Sequence, residues 1–439
     1  MATKKTSNNS LYKDITGRML DFIDESPSCF QVIDNLKKRL VKAGYVELKE
    51  SDLWKLAPAK GGKGGKYFVT RNDSSIISFR IPKKDFKGFY MIASHSDSPS
   101  FKIKENPEME MPGAYIKLNV EKYGGMLCAE WFDRPLSVAG RLIVRDKKAG
   151  AVTKLVNVDR DLLMLPALAI HMNREANDGY KYNAQKDMLP IFGDDSAKDK
   201  FFEVVAKAAG VKKEDILGHD LFLYNRVKPT VWGASDEFIA SSRLDDQECV
   251  YTTFEGFLNA ADSDNVAVHC VFDNEEVGSG TKQGAASTFL KDTLTRINEC
   301  LGRTNEQYFT AVAQSFMISA DNAHAMHPNN PDKADPVNRP VMNKGIVIKY
   351  NANQRYTTDA VSAATFKLMC EKAGAPFQSF TNRSDMPGGS TLGNISTSQV
   401  AVNTVDIGLA QLAMHSPYET AGSKDPEYLA AVSQVFYES

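Results

Sequence analysis

The first clear pattern along the chain is helical. Over Ile15–Asp24, and again over Cys29–Ala43, apolar residues return every three or four positions. In the second run Ile33, Leu36, Leu40 and Val41 share one face, with Ser28 placed to cap the start and Gly44 to close the end. The pattern then shortens to strand-like runs at Tyr67–Val69 and Ile76–Ile81, separated by a hairpin-like turn at Arg71–Ser75. Gly88–Ser94 (GFYMIAS) is an unbroken apolar run, as a strand buried on both faces requires.

From about Lys104 to Trp232 the texture changes. Short runs such as Tyr115–Val120 and Leu142–Val144 sit between Gly, Pro and charged turns, which predicts a strand-rich region. Its polar middle, Asn173–Lys200, predicts a long loop. After Ser235 strands and helices alternate. Strands are expected at Val266–Phe272, Phe316–Ala320, Ile346–Tyr350 and Val400–Val405, and helices at Asp246–Asn259, Thr288–Leu301 and Thr358–Ala373, the last closed by Gly374. Such alternation predicts an α/β sheet covered on both faces. The expected division is one discontinuous α/β domain, 1–103 plus 236–439, interrupted by a β-rich insertion at 104–235.

Composition adds limits rather than detail. The 439 residues are enough for two or three domains and a core that needs no staples. Apolar residues are 42% and the net charge is −2, which disfavours a strongly basic nucleic-acid binder and an acidic disordered chain. The cysteines, at 29, 128, 249, 270, 300 and 370, form no C-x-x-C pair and read as buried, reduced residues. Met1–Asn9 is polar and basic, unlike a secretory signal, and residues 1–10 read as a loose tail. No run approaches the ~20 apolar residues of a membrane span. A cytoplasmic protein is the expectation.

Two glycine-rich stretches fail as nucleotide loops. Gly61–Lys66 (GGKGGK) has Lys60 and Tyr67 where a P-loop needs Gly and Ser or Thr, so it reads as a flexible basic loop. In the segment from Gly278 the third glycine of a dinucleotide fingerprint comes one place late, at Gly284.

The promising chemistry lies where apolar runs end. Gly88–Ser94 leads into His95-Ser-Asp97, and Val266–Phe272 into Asp273-Asn-Glu275-Glu276. Phe316–Ala320 leads into Asp321, with His324 and His327 beyond, and the run at Val400–Val405 precedes His415. Asp245 and Asp246 open a helix. Taken singly these have plain readings: a hydrogen-bonded surface pair, a solvated turn, a helix cap. His269 reads as a satisfied core histidine, and His219, after a helix-ending Gly218, as structural. Together they supply what a metal site at the carboxyl ends of α/β strands needs. Imidazole and carboxylate without thiolate suit zinc, or cobalt and manganese by availability. His95, Asp245, Asp321, Glu276 and His415 are enough for two metals sharing one bridging carboxylate. His95 and Asp97 alternate along an extended chain, which lets Asp97 orient the histidine. Of Glu275 and Glu276, one carboxylate is needed as ligand and the other as general base.

HSD at 95–97, RLDD at 243–246, DNEEVGS at 273–279, SADNAHAMHP at 319–328, NQRY at 353–356, MPGGSTLG at 386–393 and MHS at 414–416 closely resemble the aspartyl aminopeptidase and aminopeptidase I family of dinuclear metallopeptidases, in the family's order. The resemblance runs from about residue 15 to 435. It implies a mixed-sheet α/β/α catalytic domain of the zinc-exopeptidase type, with an inserted β-rich dimerisation domain. It implies two divalent ions, bridged by Asp245, with His95 and Asp321 on one and Glu276 and His415 on the other. Glu275 would be the general base and Asp97 the partner of His95. The implied assembly is a homo-oligomer, dimers building a tetrahedral dodecamer, in which His171 reaches a neighbouring subunit's site. The residues alone make His171 a buried helix-end histidine. The family's usual RLDN is RLDD here, adding the carboxylate of Asp246. His324 and His327 are expected near the site but not as ligands.

The implied reaction is hydrolysis of the first peptide bond of peptides with a free N-terminus. An acidic preference needs a cation by the side-chain pocket. Lys349 matches the lysine of the aspartyl members, although a strand-end surface lysine would look the same; Arg355, Tyr356 and Met386 are further substrate-binding candidates. The rival readings are a neutral, Leu-type aminopeptidase and a non-catalytic peptide- or metal-binding protein. Neither nucleic acid nor membrane is an expected partner.

Overall fold

The computed structural model describes residues 14–60 and 65–439. The N-terminal tail and most of the glycine-rich Gly61–Lys66 stretch lie outside the described residues.

Among the described residues the strands form three sheets. The largest has nine strands. Its centre is a parallel run, with Phe89–His95 between Val266–Phe272 and Phe316–Ala320, and Asn403–Gly408 beyond. Ile346–Lys349 joins antiparallel to Asn403–Gly408 and carries Phe377–Phe380. On the other side Ser75–Arg80 pairs antiparallel with Val266–Phe272 and with Lys66–Arg71. The central strands are buried on both faces, which is why their sequences are continuous rather than alternating apolar runs.

Helices cover each face. One layer holds Ile15–Asp24, Cys29–Lys42, Leu244–Asn259, Ala360–Ala373 and the C-terminal Asp425–Tyr437, packed through Phe22, Leu36, Phe254, Phe366 and Phe436. The opposite layer includes Phe289–Cys300 and Asn305–Ala313, with Phe289, Leu294 and Ala311 against Phe89 and Val268. A six-stranded antiparallel sheet takes strands from Ser100–Met111 to Ile216–Asn225 and has its own core, including Phe101, Trp131, Leu142 and Phe201. A five-stranded sheet carries the chain from Thr230–Trp232 to the segment around His415.

Some local expectations need correction. The last central strand runs Asn403–Gly408, three residues later than Val400–Val405, because a buried Asp406 interrupts its apolar pattern. Val41 is 59% exposed and leaves the stripe formed by Ile33, Leu36 and Leu40. Ser28 holds the N-cap position, but its hydroxyl bonds the Gln31 side chain instead of the helix. Gly218 belongs to the strand Ile216–Asn225 and ends no helix. The thiols are free as expected, yet Cys300 is exposed and Cys128 half-buried. His269 is in the core as expected, with Nε2 3.0 Å from Thr253 Oγ1, but it is not fully satisfied: Nδ1 is buried without a hydrogen-bond partner.

Candidate active site

Neighbouring parallel strands bring the polar residues to one edge. His95 ends Phe89–His95 and stands opposite Phe272, so Asp273–Glu276 emerge beside it. Asp321 follows the strand on its other side. Asp245 comes from the kinked first turn of Leu244–Asn259, and His415 from the turn after Ala410–Leu412.

His95 Nδ1 donates to the Asp97 carbonyl at 3.0 Å. A carbonyl only accepts, so in the neutral ring the lone pair sits on Nε2. That nitrogen is 3.3 Å from Asp245 Oδ1 and 3.9 Å from Asp321 Oδ1. On the far side of Asp245, His415 Nε2 lies 3.7 Å from its Oδ2 and 3.5 Å from Glu276 Oε2. Ligand atoms sharing one tetrahedral ion, with bonds of ~2.0–2.1 Å, stand about 3.3–3.4 Å apart. Asp245 Oδ1 and Glu276 Oε1 are buried without a hydrogen-bond partner. Three overlapping groups of donor atoms, each within 4.8 Å, collect His95 with Asp245, Asp246 and Asp321; His95 with Glu275 and Glu276; and Asp245 with Glu276 and His415. Orphaned oxygens, imidazole–carboxylate donors and these spacings fit a divalent cation of the zinc class.

The electrostatics match. Burial, together with neighbouring carboxylates, raises Glu275 to about 8 and pushes Glu276 and Asp246 well above the usual carboxylate range. Burial opposes the charge of His95, but Asp246, Asp245, Asp321 and Asp97 outweigh it and hold the imidazole well above its ordinary value. Asp321 is the exception: burial would raise it, yet Lys349 and His95 keep it low. A cluster of this kind traps protons that a divalent cation would displace.

The supporting contacts are more extensive than the motifs suggested. Asp97 Oδ1 lies 3.4 Å from His95 Nδ1 and accepts the Glu275 N–H, while Oδ2 accepts the Glu276 N–H and the Tyr123 hydroxyl. Glu419 accepts the Asp245 N–H at 3.0 Å and the His415 N–H at 2.8 Å. The extra carboxylate, Asp246, is fully buried and accepts the His95 N–H at 3.1 Å. Tyr123 and Glu419 were missed in sequence. Glu419 lies only four residues beyond His415, the one signal that pointed to it.

The comparisons with known proteins agree. The family model described as aminopeptidase I zinc metalloprotease (M18) matches residues 22–437. The chain belongs to the M18 family. A probable M18 family aminopeptidase 2 from Clostridium acetobutylicum is 48% identical, covering 96% of this chain and 98% of the relative. A probable aspartyl aminopeptidase from Ricinus communis is 37% identical over 97% of this chain and 95% of its own. Among solved structures, one described as the Ape4 and Nbr1 complex superposes with a TM-score of 0.93 at 35% identity, covering all of this chain and 87% of that one. The S. cerevisiae mApe1 dodecamer gives 0.84 at 28% identity, covering 97% of each. The protein is therefore a metalloaminopeptidase with the α/β architecture of its family. Among the described residues no helix is long and apolar enough to cross a membrane.

In this M18 aminopeptidase a cavity opens over the carboxylate cluster, lined by Asp245, Glu275, Glu276, Asp321, His415, Lys349 and Tyr356, among others. Lys349 is buried at 3% exposure, not a surface lysine; its Nζ donates to the Asn322 carbonyl at 2.7 Å and lies 3.9 Å from Asp321 Oδ2. Tyr356 is buried, with its ring centre 5.6 Å from that Nζ. Arg355 and Met386 are exposed and line no part of this cavity; Gly389–Thr391 of the same glycine-rich segment do. His324 lines the cavity, and His327 is exposed. His171 is not brought to the site of its own chain. It lies exposed in a turn beside exposed Leu168, Ile170 and Met172, the opposite of a buried helix end.

Proposed function

We propose that this aminopeptidase removes acidic N-terminal residues from peptides, using two divalent cations, zinc in the family's usual form. The observation that carries the specificity is Lys349: a buried ammonium in the wall of the cavity that holds the Asp245 cluster. A carboxylate side chain entering that cavity would meet a cation already stripped of water, where an ion pair gains most. The name of the plant relative supports the same preference.

In this reading His95 and Asp321 would hold one cation and Glu276 and His415 the other, with Asp245 as the ligand common to both halves. Bound there, the cations would supply Lewis acidity, lowering the pKa of water toward about 7 and polarising the scissile carbonyl. Glu275 accepts the proton of the attacking water and returns it to the leaving amine. Asp97 fixes the His95 tautomer and holds the Glu275–Glu276 backbone in place. The acidic cavity wall receives the free α-ammonium of the substrate, which restricts cleavage to the first bond.

One observation favours a neutral, Leu-type specificity. Lys349 is already engaged by Asn322 and Asp321, so part of its charge is spent before substrate arrives. Amino-acid release from matched peptides starting with Asp, Glu, Leu, Lys or an acetylated residue separates the two. Release favouring Asp and Glu, absent from the acetylated peptide, supports the proposal; a Leu preference replaces it with the second reading.

We further infer a cytoplasmic homo-oligomer built on the 104–235 insertion as a dimerisation unit. The free thiols suit a reducing compartment. The relative solved as a dodecamer supports the assembly, and the exposed apolar turn around His171 suits a subunit contact that places this histidine in a neighbouring site. Light scattering showing a monomer would remove both the assembly and the role of His171 in trans.

A further inference from the structure

One segment of the six-stranded sheet reaches across to the metal-binding edge. The strand Tyr115–Tyr123 runs into Gly124-Gly125, and this stretch approaches the candidate site. Tyr123 Oη donates to Asp97 Oδ2 at 2.7 Å, the oxygen that also accepts the Glu276 N–H, and receives a hydrogen bond from Asn274 Nδ2 at 2.8 Å. Gly124, with φ of +75°, is packed so closely on Glu276 that an added Cβ would lie 3.1 Å from Glu276 Cβ and 3.3 Å from its carbonyl oxygen. At Gly125 an added Cβ would lie 3.9 Å from His415 Nδ1. The Leu127 N–H donates to the His415 carbonyl at 3.2 Å.

From Gly124 onward these contacts share a direction: Glu276 and His415 are held from outside, while His95 and Asp321 receive none of them; the Tyr123 bond reaches Asp97, which serves both halves by holding His95 and the Glu276 N–H. His415 needs such holding. Its φ is +67°, in the left-handed region, which a residue carrying a side chain keeps only where its surroundings fix it. Glu419 holds its N–H from within, and Leu127 holds its carbonyl from the sheet. The Asn225 side chain, from another strand of that sheet, donates to the Pro417 carbonyl in the same turn.

We propose that the Gly124–Leu127 segment is the positioning element of the Glu276–His415 half of the metal site, so that this half is complete only when the six-stranded sheet is docked against it. The proposal rests on the paired-cation reading above. It makes the segment a built-in coupling between the sheet and one of the two ions, leaving the His95–Asp321 half intact.

The test is calorimetric titration of zinc into metal-free full-length enzyme, with thermal melts alongside. Glu276→Gln and Asp321→Asn identify which binding event belongs to which half. Gly124→Ala introduces a Cβ against Glu276, and Leu127→Pro, at a φ of −80° that proline can adopt, removes the N–H that bonds the His415 carbonyl. Either should weaken the Glu276–His415 event by about 10–100-fold, the range for groups that orient a ligand, and leave the other event unchanged. kcat should fall with KM nearly constant. If Gly124→Ala does not fold, Leu127→Pro decides alone. Two unchanged events in the folded variants, or equal weakening of both, would overturn the proposal. A single event in the wild type would instead refute the paired-cation reading.

Discussion

His95 and Asp245 face each other across 3.3 Å, imidazole Nε2 to carboxylate Oδ1, with both side chains buried. Hydrogen bonding through Nδ1 leaves that Nε2 a lone pair in the neutral ring, and Asp245 Oδ1 has no hydrogen-bond partner. Two lone pairs held this close repel one another unless a proton or a cation lies between them. The other oxygen of Asp245 turns to His415, so one carboxylate addresses two imidazoles from opposite sides. This geometry underlies the proposal of a cation pair.

The metal-free enzyme should lose stability as pH rises. Glu275 has its pKa raised to about 8 in the fold, and Glu276 and Glu419 are also raised, against about 4.3 in an unfolded chain. Between those values the native state binds more protons than the unfolded state, so unfolding free energy falls with rising pH. His95, raised above its unfolded value of about 6.5, adds the same sign above that pH. Cations displace these protons, so the zinc-induced rise in Tm should grow from pH 5 to pH 8. Scanning fluorimetry with and without zinc measures it; a rise independent of pH would contradict the assigned cluster.

Glu275→Gln should reduce kcat by about 10²–10⁴-fold and leave zinc content nearly unchanged. Glu276→Gln, by contrast, should lose metal. Elemental analysis beside steady-state kinetics separates the two carboxylates. Normal turnover in Glu275→Gln would reject it as the base.

Lys349→Met should lower kcat/KM for an Asp-leading peptide much more than for a Leu-leading one. Removing one partner of a buried charge pair costs about 2–5 kcal/mol, so the Asp-to-Leu ratio should fall by 30-fold or more. An unchanged ratio, with the variant folded, would move specificity away from this lysine.

Asp406→Ala should raise KM and lower Tm. The buried Asp406 carboxylate accepts from the Thr357 N–H, the Thr357 hydroxyl and the Thr391 hydroxyl, tying the loop after Tyr356 to the glycine-rich segment that lines the cavity. Its loss strands donors at about 1–3 kcal/mol each. A variant with wild-type KM would show that the two loops hold their places without it.

The central strands were legible because burial on both sides leaves an unbroken apolar run, the helices because their apolar residues return every three or four positions, and the candidate site because polar residues end those strands. The Asn403–Gly408 strand was misplaced for the converse reason: Asp406 sits inside it and is satisfied by residues from two other loops, which no local pattern reveals. Tyr123 escaped because it acts through the carboxylate of Asp97, 26 residues away, and Glu419 because the Asp245 N–H that it joins to the His415 N–H lies 174 residues away. Lys349 was recognised as a candidate, but its burial is a property of the packed sheet. His171 looked internal because its apolar neighbours are there; the fold leaves them exposed together.

The most direct test is a crystal structure of the zinc-loaded enzyme with anomalous data at the zinc edge. Two peaks about 3.5–4 Å apart are expected, with the Asp245 carboxylate between them, one peak against His95 and Asp321, the other against Glu276 and His415. A single peak, or two peaks with Asp245 bound to one alone, would contradict that arrangement.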